Sequence, residues 1–230
     1  MIKILLFDFN GVIIDDEPIQ MKAYQEVLKT EEIELTEENY YDCLGMNDEV
    51  FLQTNYKRVG KKLTSEKTLE LAEAKTAKWR ELIDKEIPLF EGVDGFIKRM
   101  ENHFALGLVS MARRPEVEYV LEKTGLEKSF SAVITAEDVN STKPDPECYK
   151  KGFSEVDRIR TSTGRNPATR NQCVVIEDSP PGIVSGKSAG LNALGVTSTV
   201  AAEELRKAGA DAVTGSLRDW SPESFSRVFG

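Results

Sequence analysis

Short apolar runs alternate with helix-length amphipathic segments over most of this chain, and this alternation constrains the fold more than any other feature. The apolar runs are residues 2–7, 105–109, 132–135, 173–176, 193–196 and 210–213. A run that is apolar at nearly every position is typical of a strand buried on both faces. The helix-length segments between them are residues 93–101, 115–124, 146–153, 182–189 and 201–208. We therefore predict an α/β fold with a Rossmann-like parallel sheet and right-handed crossovers.

Residues 15–86 interrupt this alternation. They are rich in Glu and Lys and contain no convincing strand, and residues 65–85 read as one long amphipathic helix. The residues at helical spacing, near i, i+3, i+4 and i+7, are Leu69, Ala72, Thr76, Trp79, Leu82 and Ile83. We predict a Rossmann-like core made of residues 1–14 and 88–230, with an inserted all-helical domain of residues 15–87. The arginine-rich residues 157–171 are predicted to form an exposed loop.

Composition and charge limit the kinds of molecule that this protein is expected to bind. The formal net charge is −9, whereas a dedicated nucleic-acid binder needs a basic face. The three cysteines have no CxxC spacing that would indicate a zinc site. No stretch approaches the roughly 18 apolar residues of a membrane span. We expect a cytoplasmic protein, a monomer or weak dimer, that binds neither nucleic acid nor membranes.

Polar residues with catalytic chemistry follow four of the apolar runs. Ligands of an open parallel sheet bind beyond the carboxyl ends of its strands. The residues expected there are Asp8, Asn10, Ser110, Lys143, Glu177, Asp178 and Ser179. Each has an ordinary explanation by itself, because Asp is common in turns and Ser110 is well placed to cap a helix. Their order along the chain favours a shared site.

This set of residue types suits phosphoryl transfer. An aspartate can attack phosphorus and form an aspartyl-phosphate. Neighbouring carboxylates need a cation to stay ionised together, and Mg²⁺ prefers oxygen ligands and binds substrate phosphates. A lysine can stabilise the charge on the transferring group.

The same residues resemble the four sequence motifs of the haloacid dehalogenase superfamily. These motifs are Asp8-Phe9-Asn10-Gly11-Val12, Ser110, Lys143-Pro144-Asp145-Pro146 and Glu177-Asp178-Ser179-x-x-Gly182. The resemblance runs over essentially the full length. The segment Asp15-Asp16-Glu17-Pro18 and the helical insertion after the first motif are similar to the β-phosphoglucomutase-like branch, in which the insertion is a mobile cap.

The resemblance implies a magnesium site and a nucleophile. Asp8 would be both the nucleophile and a Mg²⁺ ligand. The backbone carbonyl of Asn10 and the carboxylate of Asp178 would complete the protein's ligands, with Glu177 assisting directly or through water.

The resemblance also implies how the substrate is held. Ser110 would bind the phosphoryl group, and Lys143 would stabilise Asp8 and the transferred charge. Gln20, Met111 and Arg113 are further expected substrate-binding residues, although Arg113 is equally well explained as part of a helix start. The substrate would be a small phosphorylated metabolite.

Two positions depart from the pattern of the superfamily. Active members usually carry a second aspartate as general acid and base where this chain has Asn10, and a histidine is common in place of Gln20. A carboxamide donates a hydrogen bond but cannot cycle a proton, and losing such a group typically costs about 10²–10⁴ in rate. Glu17 or another cap residue could supply the proton, although Glu17 is better explained as a helix N-terminal carboxylate.

The leading functional prediction is a Mg²⁺-dependent phosphatase that acts through an aspartyl-phosphate on Asp8. The alternatives are a catalytically impaired phosphate- or metabolite-binding protein, a β-phosphoglucomutase-like phosphomutase and a dehalogenase. Hydrolysis is favoured over mutation because Asn47-Asp48, and not an arginine, follows Leu44-Gly45-Met46. The Glu177-Asp178 pair of a metal site counts against the dehalogenase.

Overall fold

A six-stranded parallel sheet lies at the centre of the computed structural model, which describes residues 1–230. Its strands, in chain order, are β1 (Ile4–Phe7), β2 (Ala105–Val109), β3 (Ala132–Ile134), β4 (Cys173–Glu177), β5 (Asn192–Val196) and β6 (Ala212–Thr214). The strand order across the sheet is β3-β2-β1-β4-β5-β6, and every neighbouring pair is parallel. The predicted Rossmann-like α/β fold is confirmed.

The two faces of the sheet bury two separate cores. Successive side chains of a strand point to opposite faces. In β1, Leu5 and Phe7 belong to a cluster of 29 buried apolar residues on one face. Ile4 and Leu6 belong to a cluster of 14 on the other face. This double burial is the physical reason that the strands are apolar at nearly every position.

Ten α-helices accompany the sheet. They are α1 (Glu17–Thr30), α2 (Glu37–Tyr41), α3 (Asp48–Arg58), α4 (Ser65–Ile83), α5 (Val93–Met100), α6 (Arg114–Thr124), α7 (Glu147–Ser162), α8 (Pro180–Ser188), α9 (Ala202–Lys207) and α10 (Pro222–Phe229). No helix combines the length and the apolar character that crossing a bilayer requires.

Helices α1 to α4 follow β1 without an intervening strand, and we call them the helical segment. Twelve of its buried apolar residues, among them Leu28, Phe51 and Leu71, form a core of their own. Side chains at the starts of three of these helices stabilise them locally. Thr36, Asn47 and Thr64 are the N-caps of α2, α3 and α4, and each side chain accepts a backbone N–H of the first turn.

Two sequence expectations about helices are wrong. Residues 157–162 belong to α7 and not to a loop, because the buried face of that helix continues through Val156 to Arg160. The guanidinium of Arg160 is held there by the Asp157 carboxylate and a backbone carbonyl. In α4, Leu69 is 55% exposed, whereas Lys75, which is not apolar, lies on the buried face.

Candidate active site

Three carboxylates meet at the carboxyl ends of β1 and β4. Asp8 directly follows β1, while Glu177 ends β4 and Asp178 follows it. The two strands are neighbours, and the chain leaves β1 toward β2 on one side and β4 toward β5 on the other. Crevices at such a reversal of strand order are where ligands bind in open α/β sheets. All three side chains are buried, and ligand oxygens from each lie within 4.8 Å of one another.

Lys143 joins two of these carboxylates. Its Nζ lies 2.9 Å from Oδ1 of Asp8 and 2.6 Å from Oε1 of Glu177, and the residue is 3% exposed. Burial opposes the charge, but the two carboxylates outweigh it and hold the pKa of the Lys143 ammonium well above its usual value. Lys143 is therefore a fixed cation beside Asp8.

Glu177 has both carboxylate oxygens occupied by protein donors. Oε1 accepts from Lys143 and from the Tyr149 hydroxyl, the latter at 2.8 Å. Oε2 accepts from the backbone N–H groups of Asp178 and Ser179 and from the Ser179 hydroxyl. Burial favours the neutral acid, but Lys143 and these donors lower the pKa of Glu177. A Cβ at position 182 would lie 1.9 Å from the Glu177 carboxyl, so this packing requires Gly182.

Asp8 and Asp178 retain capacity for a cation. Burial, followed by repulsion from Glu177, raises the pKa of Asp8 to about 7. Burial, followed by repulsion from Glu177 and Asp8, raises the pKa of Asp178 well above its usual value. A divalent cation would relieve this repulsion, and an all-oxygen donor set suits Mg²⁺. The residues present therefore fit a magnesium site, with Asp8 and Asp178 as the carboxylate ligands and Glu177 behind them.

Gly11 makes the approach of the first loop to Asp178 possible. Its φ is +73°, in the left-handed region that glycine adopts readily. A Cβ there would lie 1.9 Å from Oδ2 of Asp178.

Asn10 is hydrogen-bonded to a carboxylate that the sequence analysis did not single out. Its Nδ2 donates to both oxygens of Asp16, at 2.9 and 3.0 Å. Asp16 is fully buried and also accepts from Gln20 Nε2 at 3.0 Å and Trp79 Nε1 at 2.7 Å. Burial, followed by repulsion from Glu17, raises the pKa of Asp16 to about 7. All three donor groups are uncharged, so Asp16 has no cationic partner.

One cavity collects most of the residues expected from the sequence. They are Asp8, Asn10, Gln20, Ser110, Met111, Lys143, Asp178 and Ser179. Glu177 lies behind the cavity, and Arg113 does not line it, because its guanidinium donates to Thr76 Oγ1 at 3.4 Å. The alternative explanation of Ser110 as a helix cap is wrong, since Arg113 is the N-cap of α6. The Ser110 hydroxyl instead accepts the backbone N–H of Ala112 at 3.0 Å, which leaves its own O–H free to donate.

Comparison with known proteins decides the family. The sequence model described as haloacid dehalogenase-like hydrolase matches residues 5–196. The chain belongs to the haloacid dehalogenase-like hydrolases. Its similarity to hexitol phosphatase B of Escherichia coli (strain K12) is 27% identity over 216 residues, which cover 93% of this chain and 92% of the relative. Phosphorylated carbohydrates phosphatase of Thermotoga maritima is 27% identical over 188 residues, 81% of each chain. The predictions of a family of hydrolases and of an enzyme related to phosphatases are confirmed.

The solved structures agree on the fold of this hydrolase. The β-phosphoglucomutase from Clostridium difficile superposes with a TM-score of 0.85 and covers 100% of this chain and 97% of that one. Sequence identity over that alignment is 22%, so the likeness concerns the fold. The helical segment is therefore included in the shared architecture.

The helical segment of this hydrolase supplies a second polar group to the same cavity. Lys75 of α4 and Asp48 of α3 line it together with Tyr24 of α1, and Glu116 of α6 holds Lys75 from the core side. The sequence analysis missed these residues because charged side chains on helices usually face solvent. The available signal was the position of Lys75 between Ala72 and Trp79 on the face of α4 that carries the apolar residues.

Proposed function

We propose that this hydrolase is a Mg²⁺-dependent phosphatase that hydrolyses phosphomonoesters of a small metabolite through an aspartyl-phosphate on Asp8. The observation that carries the proposal is the position of Asp8. Its carboxylate lines the cavity, is 2.9 Å from the Lys143 ammonium and shares an oxygen cluster with Asp178. The names of the phosphatase relatives support the same reaction class.

The first half of the reaction uses this chain's own groups. An oxygen of Asp8 attacks phosphorus, and the new O–P bond forms as the bond to the alcohol oxygen breaks. The leaving oxygen takes one proton from solvent and departs as the alcohol. Lys143 balances the charge on Asp8 and on the transferring group, and the free O–H of Ser110 donates to a phosphoryl oxygen. Mg²⁺ held by Asp8, Asp178 and the Asn10 carbonyl would supply further stabilisation of phosphoryl charge.

The second half regenerates Asp8. Water attacks phosphorus and gives one proton to solvent, the bond between the Asp8 oxygen and phosphorus breaks, and inorganic phosphate leaves with the Asp8 carboxylate restored. Both halves move one proton, which the carboxamide of Asn10 cannot release or take up. We expect turnover to be slower, by about 10²–10⁴, than in an enzyme with a positioned acid at that site.

Helices α1 to α4, within residues 15–87, act as a cap in this proposal. Their residues line the cavity above Asp8 together with core residues, so closure of the cap excludes bulk water from the intermediate. Mutase activity has less support, because the candidate position for a substrate-binding arginine is occupied by Asn47, whose side chain accepts the Val50 N–H and caps α3.

A second candidate function is a phosphate-binding protein with little turnover. The Asn10 carboxamide favours it, because both of its donor contacts end on Asp16 and neither serves a leaving group. Phosphate release from a panel of phosphorylated metabolites, with Mg²⁺ and with EDTA, separates the two. Release that requires Mg²⁺ and disappears in Asp8→Ala supports the phosphatase. Release by Asp8→Ala equal to that of the parent protein would refute the aspartyl-phosphate.

A further inference from the structure

The loop between β5 and α9, residues 197–201, reaches the carboxylate cluster but belongs to none of the four sequence motifs. Strand β5 pairs with β4, and Gly195 lies opposite Glu177 in their register. The loop that follows β5 therefore leaves the sheet beside Asp178. Because the carboxyl ends of parallel strands meet at one edge, a residue of this loop can contact a ligand that follows β4.

Two hydroxyl groups of this loop donate to neighbouring segments. The Thr199 hydroxyl donates to Oδ2 of Asp178, and the Ser198 hydroxyl donates to the backbone carbonyl of Gly11. Thr199 is half-buried. A Cβ at position 11 would lie 2.8 Å from Oγ1 of Thr199, so the missing side chain of Gly11 also makes room for this contact. The loop thus contacts both segments that supply the expected metal ligands.

The hydrogen bond from Thr199 leaves one oxygen of Asp178 for a cation. Oδ2 accepts the Thr199 hydroxyl, whereas Oδ1 accepts no hydrogen bond from the protein. Oδ1 is not sealed in the interior, because it keeps accessible surface and Asp178 lines the cavity. No other side chain or backbone group donates to the Asp178 carboxylate. Thr199 is therefore the one hydrogen-bond donor that orients this ligand.

We propose that Thr199 is a positioning residue of the magnesium site, because its hydroxyl holds the Asp178 carboxylate with Oδ1 free for Mg²⁺. This inference rests on the proposed Mg²⁺-dependent function and adds a residue to its metal site. Thr199 does not line the cavity, so it acts through Asp178. Ligating carboxylates are commonly held by such outer hydrogen bonds, and the loss of one typically costs about 10–100-fold in metal affinity or activity.

The test removes the hydroxyl and measures Mg²⁺ affinity without turnover. Thr199→Val keeps the branched shape of the side chain, and the Ser198 contact still anchors the loop. The protein is freed of metal with EDTA and dialysed, and its melting temperature is followed by calorimetry as magnesium chloride is added. A ligand of the folded state raises the melting temperature by mass action, so this rise gives the Kd. We expect Thr199→Val to raise the Kd for Mg²⁺ by about 10–100-fold.

Two variants of the same loop control this measurement. Thr197→Val removes a hydroxyl that donates only to the carbonyl of Thr214, at 3.5 Å, and we expect it to leave the Kd for Mg²⁺ unchanged. Thr199→Ser restores the hydroxyl and is expected to bind Mg²⁺ as the parent protein does. A purely structural role of Thr199 would lower the melting temperature without metal and leave the Kd unaffected. An unchanged Kd in Thr199→Val, or an equal loss of affinity in Thr197→Val, would overturn the proposal.

Phosphate release separates this inference from the proposed function. We expect release by Thr199→Val to be reduced at low Mg²⁺ and to recover toward that of the parent protein as Mg²⁺ saturates. If the parent protein binds Mg²⁺ but releases no phosphate, the phosphatase proposal fails, while the comparison of Kd values still decides the role of Thr199. If Mg²⁺ does not raise the melting temperature of the parent protein, the metal site fails and this inference fails with it.

A second substitution keeps the test decisive if Thr199→Val does not fold. Thr199→Ala removes the same hydroxyl and places no apolar branch against the Asp178 carboxylate. We expect the same rise in the Kd for Mg²⁺, and a Kd equal to that of the parent protein would overturn the proposal.

Discussion

Trp79→Phe tests the contact between the helical segment and the loop that carries Asn10. Trp79 is fully buried in α4, and its Nε1 donates to Oδ2 of Asp16 at 2.7 Å. A hydrogen bond to a buried charged group contributes about 1.5–3 kcal/mol, and the smaller phenyl ring leaves a void that adds about 1 kcal/mol. We expect Trp79→Phe to lower the free energy of unfolding by about 2.5–4 kcal/mol at pH 8, a large part of the stability of an ordinary domain.

Urea denaturation followed by far-UV circular dichroism measures this loss. Trp220→Phe is the matched control, because Trp220 is only partly buried, packs on Phe225 at a centroid distance of 4.9 Å and donates no hydrogen bond through its indole N–H. We expect it to cost about 1 kcal/mol or less. Equal losses in the two variants would refute the assigned contribution of the Trp79–Asp16 hydrogen bond.

The loss in Trp79→Phe should also depend on pH. Burial raises the folded-state pKa of Asp16 from 3.8 to about 7, so the folded protein binds a proton more tightly than the unfolded chain. The contribution of Asp16 to stability therefore falls as the pH rises from about 4 to about 7. The indole N–H of Trp79 stabilises mainly the ionised carboxylate, which is populated above that range. We expect a smaller loss at pH 5 than at pH 8, and a loss that is larger at pH 5 would contradict the raised pKa.

The remaining predictions concern the carboxylate cluster and the thiols. Lys143→Met leaves buried carboxylates without their cation, so we expect no phosphate release and a loss of about 3–5 kcal/mol in urea denaturation at pH 8. Retained turnover would contradict its role. Gly182→Ala places a Cβ on the Glu177 carboxyl, and we expect a lower melting temperature in calorimetry, unlike Gly95→Ala, whose Cβ would meet only the end of the Arg99 side chain, at 3.7 Å. Burial raises the pKa of the three thiols, those of Cys43, Cys148 and Cys173, so they stay protonated at pH 8. We expect a thiol reagent to label none of them until urea is added, and rapid labelling of the folded protein would refute this.

The sheet was predictable because one physical rule governs it. Strands covered on both faces have to be apolar at successive positions. Every residue of β1, β2 and β4 is buried, and the only charged one is Glu177 at the end of β4. The ends of the helices were harder to predict from the sequence. The end of α7 depends on Arg160, whose burial needs a partner at Asp157 and a carbonyl of the following loop. Nothing in the local composition marks an arginine as buried.

The candidate site also contains some residues that could be predicted from the sequence and others that could not. Asp8 and Asp178 were predictable, since each follows an apolar run and the ends of parallel strands meet at one edge. Lys75 and Glu116 were not, because they lie on different helices and are 41 residues apart in sequence. A charge is buried only where its partner is buried with it. That condition depends on how α4 packs on α6, which spacing along one helix does not reveal.

The pair formed by Asn10 and Asp16 changes the meaning of the altered first motif. From the sequence, Asn10 looks like the loss of a carboxylate. In the structure a carboxylate is present next to it, and Asn10 Nδ2 contacts both of its oxygens. Asn10→Asp alone would set two carboxylates about 3 Å apart in a buried site, where both cannot readily ionise. The exchange Asn10→Asp/Asp16→Asn keeps one carboxylate and one carboxamide in contact. Higher phosphate release from the exchanged pair than from the parent protein would place the missing acid at position 10, whereas a loss of release would show that the present arrangement is the functional one.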